Sequence, residues 1–282
     1  MSKNTIKTFA LLAAFGALIM VIGSFFGQVG LIIGLLVALV FVGGSYWFSD
    51  KLAVKAAGAR EVSEAEAPQL HATVRELAGR GDLPMPRVYL SPAKQPNAFA
   101  TGRNPSHAVV AVTQGLLQML EPDEVRAVLA HEMSHVKNRD ILIGSVAAAM
   151  AMGITFIARM AMWGAMFGGG GGDRDNNVFG AIAMAVLAPV AAMMIQMAIS
   201  RSREYEADRA GAALLGGDGE ALARALEKIE TAARQVPMNV DPAQATAYIV
   251  NPLTGRRVSF ANLFATHPPT ADRIARLRAH AG

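Results

Sequence analysis

The chain contains no cysteine. That excludes disulfides and thiolate metal ligands, and it suits a reducing compartment. Aromatic residues make up only 6% and charged residues 17% of the 282 positions. No basic patch is interleaved with aromatics, so nucleic acid is not an expected partner. No internal repeat is evident. What the chain has in abundance is apolar side chains: 52% of the residues are hydrophobic and the mean hydropathy is +0.32. Ordinary soluble domains are less apolar than this.

The apolar residues fall in four long runs, at 6–26, 31–48, 141–167 and 178–199. Each is near the ~20 residues a helix needs to cross a bilayer, which predicts four spans in two hairpins. The first run follows Lys3 and Lys7 in the manner of a signal peptide. Its length and the second run just behind it favour an uncleaved anchor. The glycine run at 168–172 then reads as a flexible turn outside the membrane.

The basic residues set the orientation. Lys3 and Lys7 precede the first run, and Lys51, Lys55 and Arg60 follow the second. Lys137 and Arg139 precede the third, and Arg201 and Arg203 follow the fourth. The connections inside the two hairpins hold one basic residue, Arg174, between Asp173 and Asp175. By the positive-inside rule both termini and the segment between the hairpins are cytoplasmic. The net charge of +4 needs no further partner.

The chemistry is concentrated in His131-Glu132-Met133-Ser134-His135. Residues four apart share a helix face, so His131 and His135 can offer two imidazoles to one ion while Glu132 holds a water beside it. This is the H-E-x-x-H pattern of zinc hydrolases, although such short patterns also arise by chance. Glu121-Pro122-Asp123-Glu124 reads as the start of that helix, with Pro in the first turn and acids at the positive end of the dipole. Val125, Val128, Leu129 and Val136 give it an apolar stripe.

A catalytic zinc takes a third protein ligand and keeps one position open. Glu204, Glu206, Asp208 and His267 are the candidates. Glu204 and Asp208 share a helix face, which suggests that Glu204 ligates and Asp208 accepts the second ring N–H of a ligating histidine. The competing reading is a solvated charged helix whose acids pair with Arg201, Arg203 and Arg209. Topology favours the site. His135 lies six residues before the third run and Glu204 five after the fourth. Each is thus within roughly 10 Å of its membrane end, and a hairpin returns the chain to the side it left.

These motifs, with Pro96-Asn97-Ala98-Phe99-Ala100-Thr101-Gly102 and Thr266-His267-Pro268-Pro269 in the same order, resemble the HtpX family of bacterial membrane zinc metalloproteases. The likeness spans essentially the whole chain. It implies a gluzincin-type site holding one Zn2+ per chain on His131, His135 and Glu204, with Glu132 as general base. It also implies endopeptidase cleavage of misfolded or damaged membrane proteins at the cytoplasmic face of the bacterial inner membrane, as part of a stress response.

The expected fold is therefore a mainly α membrane protein: four transmembrane helices with a cytoplasmic α+β zincin-like protease domain. Residues 1–50 form the first hairpin and 141–199 the second; 51–140 and 200–282 are the two parts of the protease domain. Within it, 63–79 reads as an amphipathic helix, 87–91 and 108–113 as strands, and 271–277 as a closing helix. Asn97, Ala98 and Phe99 lie between the strands and are candidates for an exposed edge that pairs with substrate backbone; a plain hairpin turn is the alternative. The polar stretch 235–259 reads as a loop over the site.

His267 is read either as a donor to the reaction's oxyanion or as a cap before Pro268-Pro269. His71, His107 and His280 have no partners by spacing and read as surface residues. Arg159, inside the third run, reads as snorkelling to the far interface. Membrane lipid and polypeptide substrates are the expected partners. Charged neighbours on both sides of His131–His135 argue against a site buried in the bilayer. An intact Glu132 argues against a binding scaffold that has lost its activity.

Overall fold

The computed structural model describes residues 3–24, 27–147, 150, 201–235, 249 and 268–279. His267, Arg159, the glycine run, the fourth expected span and most of the third lie outside the described residues, as does the 235–259 stretch apart from Gln235 and Ile249.

Two apolar helices open the chain, α1 (Lys3–Ser24) and α2 (Gly27–Ala56), packed on each other. Among the described residues α2 is the one helix long and apolar enough to cross a membrane; the apolar part of α1, Ile6–Val21, is shorter. Ile32, Ile33, Leu36, Leu39 and Val40 project from α2 into open space. The helix runs on past the apolar stretch through Asp50 to Ala56. Leu11, Leu12 and Phe15 of α1 form a core with Leu142, Ile143, Val146 and Met150, where the helical segment that starts at 141 begins.

The α+β part holds a four-stranded sheet in the order β1-β2-β4-β3. Strand β2 (Arg87–Ser91) is parallel to β4 (Val109–Thr113). Strands β1 (Arg60–Glu61) and β3 (Ala98–Thr101) flank this pair antiparallel. Every residue of β4 is buried, as a central strand rich in valine requires. The amphipathic helix α3 spans Pro68–Gly81, starting later than its sequence suggests. Ser63 and Glu66 are engaged in a turn instead, with the Glu66 carboxylate accepting from both the N–H and the hydroxyl of Ser63. Proline then sits in the first helical turn, where its missing N–H is harmless. A short helix, α4 (Gln114–Met119), follows β4 directly.

Helix α5 (Pro122–Lys137) is the centre of the domain. It packs against α3, β3, α6 (Arg201–Leu214) and α7 (Glu220–Gln235). Ala127, Val128, Leu129, Ala130, Met133 and Val136 are all essentially sealed from solvent. Its start is fixed by Glu124, whose Oε2 accepts the Glu121 N–H at 2.9 Å and the Lys228 ammonium at 2.7 Å. The last helix, α8 (Thr270–Ala279), packs on α7 and α6.

Side-chain contacts join this domain to α2. Arg87 of β2 pairs with Asp50 at 2.8 Å, and the Arg103 guanidinium stands over the Trp47 ring at 4.8 Å. The end of β3 also meets the helix that starts at 141, where the Thr101 and Ser145 hydroxyls are 2.6 Å apart.

Candidate metal centre and active site

Helix α5 presents His131 and His135 one turn apart on the face that meets α6, with their Nε2 atoms 3.2 Å from each other. Helix α6 brings Glu204 opposite: its carboxylate oxygens lie 3.7 Å from the Nε2 of each histidine. All three ligand atoms fall within 4.8 Å of one another. Donors about 2.1 Å from a tetrahedral zinc stand roughly 3.4 Å apart, so these spacings fit the ion with small adjustments. Glu206 is exposed on another face of α6 and takes no part in this group.

Each histidine is backed by a carboxylate. His131 Nδ1 is 2.9 Å from Asp208 Oδ1, close enough to pair but without the alignment of a hydrogen bond. His135 Nδ1 is 3.1 Å from Asp140 Oδ2, which the sequence did not announce. Asp140 reaches back because the helix ends at Asn138 and Arg139 takes a left-handed conformation with φ 58°. The Asp140 N–H then donates to the His135 carbonyl at 3.1 Å. A non-glycine residue in that region is uncommon, and here it closes the turn that brings the acid home.

Arg273 is the second residue missed from sequence. It lies in α8 and is 1% exposed. Its Nε and Nη2 donate to the two Asp208 oxygens at 2.9 and 2.7 Å. Nothing local marked it, because its partner is 65 residues away.

Buried charge governs the proton affinities. Burial disfavours a charged His135, but Asp140, Glu204 and Glu132 outweigh it and push its pKa up to about 9. Burial likewise favours a neutral Asp208. Arg273 and His131 overcome that and hold the carboxyl well below the usual range.

Glu132, 7% exposed, turns towards the sheet, and its Oε2 accepts the Ala100 N–H of β3 at 2.9 Å. Strand β3 is at the end of the sheet, yet it is not an exposed edge in this conformation. Asn97, Ala98 and Phe99 are only 4%, 1% and 8% exposed. The free side of the strand faces α5, so the carboxylate covers the outward N–H. His71 also departs from expectation: it is partly buried, with Nε2 2.9 Å from the Val62 carbonyl.

Residues 64–281 match peptidase family M48. The chain belongs to that family. A protease HtpX homolog of Syntrophobacter fumaroxidans is 55% identical over 96% of this chain and 98% of its own length. One from Pelotomaculum thermopropionicum is 50% identical over 99% of both, and one from Thermococcus kodakarensis 53% identical over 97% and 94%. The crystal structure of S. mikatae Ste24p is similar at TM-score 0.49 and 19% identity, over 97% of this chain and 65% of that one. This M48 protein is thus a metalloprotease of the HtpX type, and its histidine–histidine–glutamate group lies inside the matched span.

Proposed function

We propose that this protease is a zinc endopeptidase anchored in the bacterial inner membrane, cleaving misfolded membrane proteins at the cytoplasmic face. The observation that carries the reading is the convergence of His131, His135 and Glu204 at tetrahedral spacings beside Glu132. Zinc held by those three residues would supply Lewis acidity, lowering the pKa of its water and polarising the scissile carbonyl.

The remaining work belongs to the chain. Asp208 and Asp140 orient the two imidazoles through their second nitrogens. Glu132 takes the proton of the attacking water and passes it to the leaving amine. Its hydrogen bond to Ala100 holds the carboxylate against β3, so a peptide lying along that strand would bring its carbonyl next to the base. Asn97, Ala98 and Phe99 are the proposed peptide-binding stretch: a substrate backbone would pair there once the strand is uncovered and Glu132 leaves the Ala100 N–H, which would give affinity tolerant of sequence. His267 is the proposed oxyanion donor.

Membrane anchoring is supported by the open apolar face of α2, which would be costly in water, and by the basic residues at the inner ends of the four runs. The Asp50–Arg87 pair joins α2 to the sheet and would hold the protease domain close to the bilayer.

The test uses detergent-purified protein and an unfolded model membrane protein. Glu132→Gln keeps the shape and removes the basicity. It should retain one zinc per chain while cleaving at least ~10²-fold more slowly. Near-normal turnover by this variant would sink the mechanism.

A further inference from the structure

We propose that Arg273 is a positioning residue that holds the metal centre and the head of strand β3 in one register. The inference rests on the metal reading above and adds a connection within the site. One side of the guanidinium clamps Asp208 in a bidentate pair, and Asp208 stands 2.9 Å from His131 Nδ1. The third nitrogen points elsewhere: Nη1 donates to the Ile249 carbonyl at 3.1 Å. The N–H of that same residue donates to Asn97 Oδ1 at 3.2 Å.

Asn97 is seated in the sheet by its own backbone. Its N–H donates to Thr113 Oγ1 and its carbonyl accepts from the Thr113 N–H, both at 2.9 Å. A continuous path of buried polar groups therefore runs from His131 through Asp208, Arg273 and Ile249 to Asn97, one residue before β3 begins.

A stability role alone would need no such arrangement, since an ion pair with Asp208 is complete with two nitrogens. The third makes the residue a bridge between parts of the chain far apart in sequence. A planar guanidinium can do this because its donors point in fixed, divergent directions. Lysine keeps the charge but has no second arm. Nη2 also lies 3.5 Å from His131 Nε2 and Nη1 3.8 Å from Glu204 Oε2, so the guanidinium borders the ligands themselves. A displacement of β3, which Asn97 would pass on to Ile249, thus reaches the metal ligands through one rigid group. Two sites joined this way exchange free energy reciprocally: whatever shifts the strand shifts metal affinity, and the reverse.

The experiment is a double-substitution cycle read out as Zn2+ affinity, by competition with a chelating dye on the full-length protein in detergent. Arg273→Lys should weaken zinc about 10- to 100-fold, as loss of support behind a ligand does. Asn97→Ala, though Asn97 is not a ligand, should weaken it about 5-fold or more. In the Arg273→Lys background, Asn97→Ala should add almost nothing, because the path is already cut.

Asn97→Asp keeps the acceptor for the Ile249 N–H and should hold zinc affinity closer to wild type than Asn97→Ala does. An Asn97→Ala protein with wild-type affinity, or equal effects of Asn97→Ala in both backgrounds, would overturn the coupling. If Arg273→Lys does not fold, the contrast between Asn97→Ala and Asn97→Asp decides alone. A wild-type chain that takes up no zinc would overturn the metal reading and this inference together. Wild-type binding with an additive cycle would overturn only the inference.

Discussion

Gly211 of α6 lies directly against the backbone of His131. A Cβ at Gly211 would stand 3.0 Å from both the Cα and the N of His131 and 3.2 Å from the Ala130 carbonyl carbon. Those partners are backbone inside a sealed helix and cannot swing aside. The missing side chain is what lets α6 come near enough for Glu204 and Asp208, on the same face, to reach the histidines. Gly211→Ala should therefore separate the helices. Overpacking of this kind typically destabilises by about 1–3 kcal/mol. The expected result is a lower melting temperature together with weaker zinc binding. Wild-type zinc affinity in this variant would show that the site tolerates the displacement.

Asp140→Ala tests the carboxylate behind His135. Removing it should lower zinc affinity about 10- to 100-fold while Glu204 and both histidines remain. Asp208→Ala should act similarly on His131 and additionally strand the buried Arg273. A zinc titration of each variant makes the comparison, with the larger loss of thermal stability expected for Asp208→Ala.

The His135 pKa of about 9 in the metal-free chain gives a pH prediction. A pKa raised above its ordinary value means that the stability it contributes is fully present below about 6.5. That stability is lost as pH rises through 9. Ligation runs the other way, because the proton must leave before the nitrogen can bind a metal. Apparent zinc affinity should climb by roughly tenfold per pH unit between pH 6.5 and 8.5, with proton release on binding. Calorimetry in buffers of different ionisation enthalpy counts those protons. Affinity independent of pH across that range would show that His135 is neutral before the metal arrives.

Glu124 separates fold from chemistry. Its buried carboxylate caps the start of α5 and receives Lys228 at 2.7 Å. Glu124→Ala removes the acceptor from the Glu121 N–H and the Lys228 ammonium, both within reach of water, which costs about 0.5–1.5 kcal/mol. Denaturant unfolding should show that loss, while the zinc affinity of the folded fraction stays near wild type.

The start of α5, its histidine pair and the strand at Val109–Thr113 were readable because each is set by local rules. A proline in the first turn, acids at the positive end of a dipole, a four-residue spacing and a β-branched alternation all act within a few positions. The two apolar helices that open the chain were readable for the same reason, since apolar composition is a property of one segment. Asp140, Arg273 and the burial of Asn97–Phe99 were not readable. Asp140 depends on a left-handed turn at Arg139, where no glycine advertised it. Arg273 sits in an ordinary charged helix, and its meaning comes from Asp208 and Ile249, 65 and 24 residues away.

By itself, then, the sequence determined which side chains can serve as ligand, base and partner, and on which helix faces they lie. Periodicity and spacing are short-range and survive without a fold. Only the tertiary structure decided that Glu204 rather than Glu206 faces the histidines, that a carboxylate stands behind His135, and that Arg273 bonds both Asp208 and the Ile249 carbonyl. Those choices follow from how closely α6 approaches α5 at Gly211 and from where α8 docks, and close packing between distant segments is visible only once the chain has folded.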